Sequence, residues 1–167
     1  MPENQEPRTK NQPSGDAYTY RNLILWQKAQ QLTLEIIRLI AEAPSDKVVK
    51  IIADRIVRCS SSIGANIAEG HGRFTPRAHG NYLSIAKASA CETDSFLDLL
   101  HRAGYVSAAR EAALHSDCEE IIRMLTRKIV DLERLDSSRQ KSPRIGDESG
   151  IYIEGDAPDN SVLGSGF

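Results

Sequence analysis

The sequence predicts an all-α fold, an antiparallel four-helix bundle running up, down, up, down. Three observations predict it: four segments whose apolar side chains recur every three or four positions, proline or glycine near the breaks, and almost none of the alternation that strands require. All of this periodicity lies between Arg21 and Leu135. At 167 residues the chain has room for one well-filled core rather than two. The expected organisation is a tail over residues 1–20, a bundle over 21–135 and an acidic tail over 136–167. Both tails are polar and rich in proline or glycine, and are expected to be disordered.

The first helix is read from Leu25, Ala29, Leu32, Ile36 and Ile40, with Trp26, Thr33 and Ile37 widening the apolar stripe. It should stop at Ala43, because Pro44 drives the residue before it out of the helical region. Ser45 or Asp46 can then cap the second helix, whose stripe is Val49, Ile52, Ile56, Cys59, Ile63 and Ile67. Gly70 and Gly72 should end it, with Gly70 as the residue just past the last turn.

Thr75 followed by Pro76 supplies an N-cap and a first-turn proline for the third helix. Its stripe is read as Tyr82, Ile85, Ala86, Ser89, Phe96, Leu99, Leu100 and Ala103, with Gly104 closing it. The small residues Ala86, Ala88, Ser89 and Ala90 should let a neighbouring backbone come close. Ser107 caps a fourth helix with Leu114, Cys118, Ile121, Leu125, Ile129, Leu132 and Leu135 on its buried side. Short links between these helices join antiparallel neighbours. The brief alternation Ile151-Tyr152-Ile153 is too short for an independent sheet.

The net charge of −2 conceals an asymmetry, since residues 21–135 hold 16 basic and 14 acidic side chains while both tails are acidic. A surplus of two permits a nucleic-acid partner without arguing for one. Cys59, Cys91 and Cys118 are odd in number, widely spaced and set in apolar patterns, so they read as reduced core residues. The opening Met1-Pro2-Glu3-Asn4-Gln5 lacks a charged-then-apolar leader pattern, and no run approaches the ~18 apolar residues of a membrane span. A cytoplasmic location without membrane attachment is expected.

The run Arg58-Cys59-Ser60-Ser61-Ser62-Ile63-Gly64-Ala65-Asn66-Ile67-Ala68-Glu69-Gly70-His71-Gly72-Arg73 resembles the signature of a four-helix-bundle family. That family was first noticed in proteins encoded by intervening sequences of bacterial 23S ribosomal RNA genes, and it includes the accessory variability determinants of diversity-generating retroelements. The resemblance extends upstream to Leu25-Trp26-Gln27-Lys28-Ala29 and downstream to Tyr82-Leu83, Ile85-Ala86, Glu92 and Arg102-x-Gly104-Tyr105, and so covers most of residues 22–135. Its core is Asn66, Ile67, Ala68, Glu69 and Gly70. Where the family usually has proline, this chain has Gly64, which weakens the helix without clashing with the preceding turn and leaves room for a bend. The resemblance implies a non-enzymatic homo-oligomer, typically a pentameric ring. For the retroelement members it implies contact with a reverse transcriptase and its RNA template through basic surface residues. The slight basic surplus of the bundle is less than a ring dedicated to nucleic acid would carry.

The strongest candidate binding surface is the set Lys47, Lys50, Arg55, Arg58, Arg73 and Arg77, which outnumber Asp54 and Glu69 by six to two in that stretch. The same charges suit an ordinary solvated helix face, with Asp54 and Arg58 pairing one turn apart. Glu120, Arg123, Arg127, Asp131 and Arg134 alternate in sign on the fourth helix, which makes a salt-laced surface. Asn66, Glu69 and Arg73 are spaced for contact, but as a Glu69–Arg73 pair and a backbone bond from Asn66 near the turn into helix three. Glu92 should be at least half-buried and paired across the bundle, with Arg58 as the natural partner.

No catalytic residue is expected. Di-iron bundles use paired Glu-x-x-His motifs, and here Asp98-x-x-His101 is the nearest approach, with His71, His79 and His115 read as lacking matching carboxylates. Gly70-His71-Gly72-Arg73 lacks the Gly-Lys-Ser/Thr ending of a phosphate loop, and Ser60-Ser61-Ser62 has no adjacent base. The reading is therefore a binding platform with no metal, cofactor or small-molecule substrate, its candidate client being nucleic acid or a reverse transcriptase. The alternative is a structural or protein–protein interaction module that binds no nucleic acid.

Overall fold

A short 3₁₀ helix, Tyr20–Asn22, leads into α1 (Ile24–Glu42), and three longer helices follow: α2 (Lys47–His71), α3 (Pro76–Arg102) and α4 (Ala108–Lys141). The computed structural model describes residues 19–44 and 46–141. Ser45, most of both tails and the Ile151–Ile153 stretch lie outside the described residues.

The helix boundaries follow from local chemistry. Ala43 is extended at φ −74 and ψ 154, as a residue before proline must be. Asp46 caps α2 by accepting a 2.7 Å hydrogen bond from the Val49 amide. Thr75 does the same for α3, accepting from the Ala78 amide at 3.2 Å, with Pro76 in the first turn. Gly104 adopts φ +80 after α3, a left-handed conformation in which a Cβ would be strained. The amide of Arg110 bonds the Ser107 hydroxyl at 3.4 Å as α4 begins.

Gly70 does not play the expected terminating part. α2 continues through it to His71, and Gly72 follows in a right-handed conformation, φ −78. Gly70 is buried, and a Cβ there would lie 3.0 Å from the Tyr82 Cβ and 3.1 Å from the His79 ring, so this glycine permits the close approach of α3. Gly64 has a similar use on the other side. It lies within the uninterrupted α2, and its missing side chain makes room for the Gln30 amide of α1.

Each helix packs on the next, and α1 closes onto α4 along the thinnest seam. Cross-links show the antiparallel order: Ser89 donates to Ser62 at 3.1 Å, Thr93 donates to the Cys59 thiol at 3.2 Å, and Lys28 meets Glu120 at 2.8 Å. The α1–α2 and α3–α4 links lie at the same end, where the Tyr105 hydroxyl donates to Asp46 at 2.8 Å and Arg110 meets Glu42. Leu32, Ile36, Ile56, Ile63, Ile67, Leu83, Leu97, Leu100, Ile121 and Leu125 form the fully buried centre. Such side chains contribute about 1.5–3 kcal/mol each on burial. Among the described residues, every buried side-chain nitrogen or oxygen has a hydrogen-bond partner.

The stripe of α3 differs in phase from the expected one. Leu83, Ala86, Ala90, Thr93, Leu97 and Leu100 are buried, whereas Ile85 and Leu99 are 50% and 46% exposed. α3 packs against both α2 and α4, so its buried arc is wide and centred to one side of the predicted stripe. Ile37 and Leu135 likewise face outward on α1 and α4, and α4 runs on to Lys141. Cys59 and Cys118 are buried thiols, but Cys91, one residue past buried Ala90, is exposed.

A candidate partner interface on the α2–α3 face

Lys47, Lys50, Arg55 and Arg58 occupy the first half of α2, all exposed. Arg58 is engaged by Asp54 one turn earlier at 3.0 Å. Lys47, Lys50 and Arg55 make no ion pair with any described residue. Arg55 and Arg58 line one wall of a shallow groove of about 270 Å³, with Ser62 and Cys59 beside them and Ser89 and Glu92 of α3 opposite. Glu92 is exposed rather than half-buried, and no hydrogen bond or ion pair joins it to Arg58.

Apolar side chains share this face. Ile51 stands two turns before Arg58, while Ile85 and Leu99 stand two turns either side of Glu92, so helical geometry puts all three on the groove side. They are 60%, 50% and 46% exposed.

The other two candidates are not brought to the same place. Arg73 and Arg77 lie beyond the far end of α2, roughly 35 Å from its first turn at 1.5 Å per residue. Arg73 is committed there: it pairs with Glu69, bonds the Tyr82 hydroxyl, and sets its guanidinium 4.5 Å from the Tyr82 ring centre. Arg77 is exposed near the start of α3 and makes no ion pair with a described residue.

The five-residue motif is architectural. Asn66 donates to the Ser62 carbonyl at 2.8 Å and to its hydroxyl at 2.9 Å, one turn back inside α2 rather than at the turn into α3. Because Ser62 also receives Ser89, this links α2 to α3. Ile67 is in the core, Ala68 is half-buried, Glu69 holds Arg73, and Gly70 admits Tyr82 and His79.

One cluster was not foreseen. Asp94 of α3 lies 2.7 Å from Nδ1 of His115 on α4, and Glu119 approaches the other ring nitrogen at 3.8 Å. The hydrogen bond and charge of Asp94 raise the His115 pKa above its ordinary value. The i,i+4 spacing of His115 and Glu119 is visible in the sequence, but Asp94 comes from the register of another helix. Asp98 is taken by Arg102, and the His101 ring bonds the Val106 carbonyl. Among the described residues, no three His, Cys, Asp or Glu side chains are placed to hold a metal, and no helix is long and apolar enough to cross a membrane. The alternating charges of α4 are partly consumed, Glu120 by Lys28 and Arg123 by Glu119.

Four helices closed over one core, with polar and apolar side chains mixed on an outer face, define a small helical-bundle protein. The chain belongs to the 23S rRNA-intervening sequence protein family, whose model matches residues 21–127. A solved structure similar to it is that of a protein with unknown function from the S23 ribosomal protein family of Bacteroides thetaiotaomicron. The two are 27% identical with a TM-score of 0.60, and the match covers 64% of this chain and 98% of that one. No curated protein matches the chain.

Proposed function

We propose that the protein is a non-enzymatic platform that assembles into a homo-oligomer and binds nucleic acid, or a reverse transcriptase carrying it, through the α2–α3 face. The observation that carries this reading is the set Lys47, Lys50 and Arg55, exposed cations without acidic partners among the described residues, next to exposed Ile51 and Leu99. Unpaired cations are free to displace counterions from phosphates. Apolar positions beside them suit contact between copies of the chain. A pentameric ring is the assembly that the family resemblance implies.

A second reading is a structural or protein–protein module without nucleic-acid affinity. The mostly compensated charge of the bundle and the exposed Ile51, Ile85 and Leu99 favour it.

Fluorescence anisotropy with labelled single-stranded RNA and DNA across a salt series separates the two. The first reading expects affinity that falls steeply with salt and drops further in Arg55→Glu. Absence of binding at low salt removes it and leaves the second. Light scattering on the intact chain and on Leu99→Glu reads the oligomer directly: a monomer at all concentrations removes the assembly.

A further inference from the structure

A cavity of about 650 Å³ lies at the opposite end of the bundle from the Asp46–Tyr105 link. Its origin is a mismatch in helix length. The Lys28–Glu120 contact sets an antiparallel register that brings Ile24 level with Met124, yet α4 continues from there to Lys141, about 25 Å further. At Ile24 the chain turns away into the 3₁₀ helix, so the α1–α4 seam opens instead of closing.

The floor is apolar, made by Leu23, Leu25, Ile67, Leu83 and Met124, and Ile24, 64% exposed, forms a lip. The mouth is different. Arg127 and Lys128 of α4, His71 of α2 and His79 of α3 stand around it, with Asp131 the one acidic side chain in the lining. Arg127 and Lys128 are exposed and make no ion pair with a described residue. Burial, the positive charge of Lys128 and the neighbouring His71 hold the His79 pKa below its ordinary value, which places these groups in one another's field. An apolar concavity of about 300–1,000 Å³ with a few convergent polar groups is the usual form of a small-molecule site.

We propose that this cavity binds a small amphiphilic monoanion, its apolar chain or ring body seated on Leu25, Ile67, Leu83 and Met124 and its carboxylate at Arg127 and Lys128. The excess of cationic groups at the mouth selects against amphiphilic cations, and the apolar floor against small inorganic anions. The proposal is of binding alone: no serine, threonine or cysteine stands in the lining. The site is separate from the α2–α3 face and does not depend on its reading.

Sodium decanoate is the probe, titrated into the full chain with side-chain imidazole NMR and calorimetry. The expected result is saturable one-to-one binding, a rise in the His79 pKa on saturation, and affinity lower by about tenfold or more in Lys128→Glu. Met124→Trp, which fills the floor, should also weaken binding, with circular dichroism showing that the bundle is intact. Decanol should bind less tightly than decanoate. Cooperative uptake of many molecules, no saturable binding, equal affinity for decanol, or indifference to Lys128→Glu each overturns the proposal.

Discussion

Asp94 on α3 and His115 on α4 meet at 2.7 Å on the flank of the bundle, joining the two longest helices by an ion pair that exists only while the imidazole is protonated. The hydrogen bond and charge of Asp94 raise the His115 pKa, with Glu119 and Glu111 adding smaller contributions and burial opposing them. In the window between the unfolded histidine value of about 6.5 and the higher folded value, the native state binds more protons than the unfolded one. The stabilisation is therefore complete below that unfolded value and is lost as pH rises through the folded pKa. Urea midpoints should fall across this window in the wild type, and the fall should be smaller in His115→Gln. His79 acts with the opposite sign: its lowered pKa costs stability as pH drops from about 6.5 towards the folded value. His79→Gln should flatten that acid limb.

Gly64 and Gly70 sit in one helix, but their alanine variants should diverge. At Gly64 a new Cβ would meet the Gln30 amide nitrogen at 2.4 Å, the far end of a side chain that can swing into solvent, and the Trp26 nitrogen only at 3.7 Å. Alanine there should be neutral or stabilising, since replacing glycine inside a helix gains up to about 1 kcal/mol. At Gly70 the obstacle is the Tyr82 Cβ at 3.0 Å, fixed to the α3 backbone, with the His79 ring and carbonyl behind it. Overpacking costs about 1–3 kcal/mol, enough to outweigh the gain in helix propensity. Urea denaturation of the two variants should show Gly64→Ala at or above the wild-type midpoint and Gly70→Ala below it.

Leu97 and Leu99 differ by two positions and by their whole environment, 0% against 46% exposed. Leu97→Ala should cost about 2–5 kcal/mol through lost burial and the cavity left behind. Leu99→Ala should change monomer stability by no more than about 0.5 kcal/mol. Equal losses in the two variants, measured by chemical denaturation at low protein concentration, would contradict the assigned phase of α3.

The same pair marks what was legible in the sequence. Local signals read well: Pro44 ends α1, Thr75 and Pro76 start α3, Gly104 turns the chain, and the 3–4 spacing of α4 names its buried residues from Leu114 to Leu132. Signals that depend on a neighbour read poorly. α3 has a partner on each side, so its apolar residues outline no single stripe, and exposed Leu99, Cys91 and Glu92 lie one or two positions from buried ones. Gly70 reads as a stop in the sequence because the side chains pressing on it come from another helix. Asp94 and His115, 21 residues apart, meet only through the register between α3 and α4. For the candidate site, the lack of ion pairs from Lys47, Lys50 and Arg55 to described residues and the separation of Arg73 and Arg77 from them depend on tertiary placement.

The cysteines give a chemical check on that placement. All three are free, with Cys59 and Cys118 buried and Cys91 exposed. Burial, reinforced by the nearby negative charge of Asp94 and Asp117, pushes the Cys118 thiol up to about 12, so almost no thiolate exists there near neutrality. Burial raises the Cys59 pKa as well, and the hydrogen bond from Thr93 only partly offsets it. A thiol reagent such as dithionitrobenzoate attacks thiolate that it can reach. One equivalent should therefore react promptly with the native protein at neutral pH, and all three cysteines should react in denaturant. Cys91→Ser should abolish the prompt phase. Prompt release of two or three equivalents from native protein would mean that the α2–α3–α4 core opens far more readily than its packing allows.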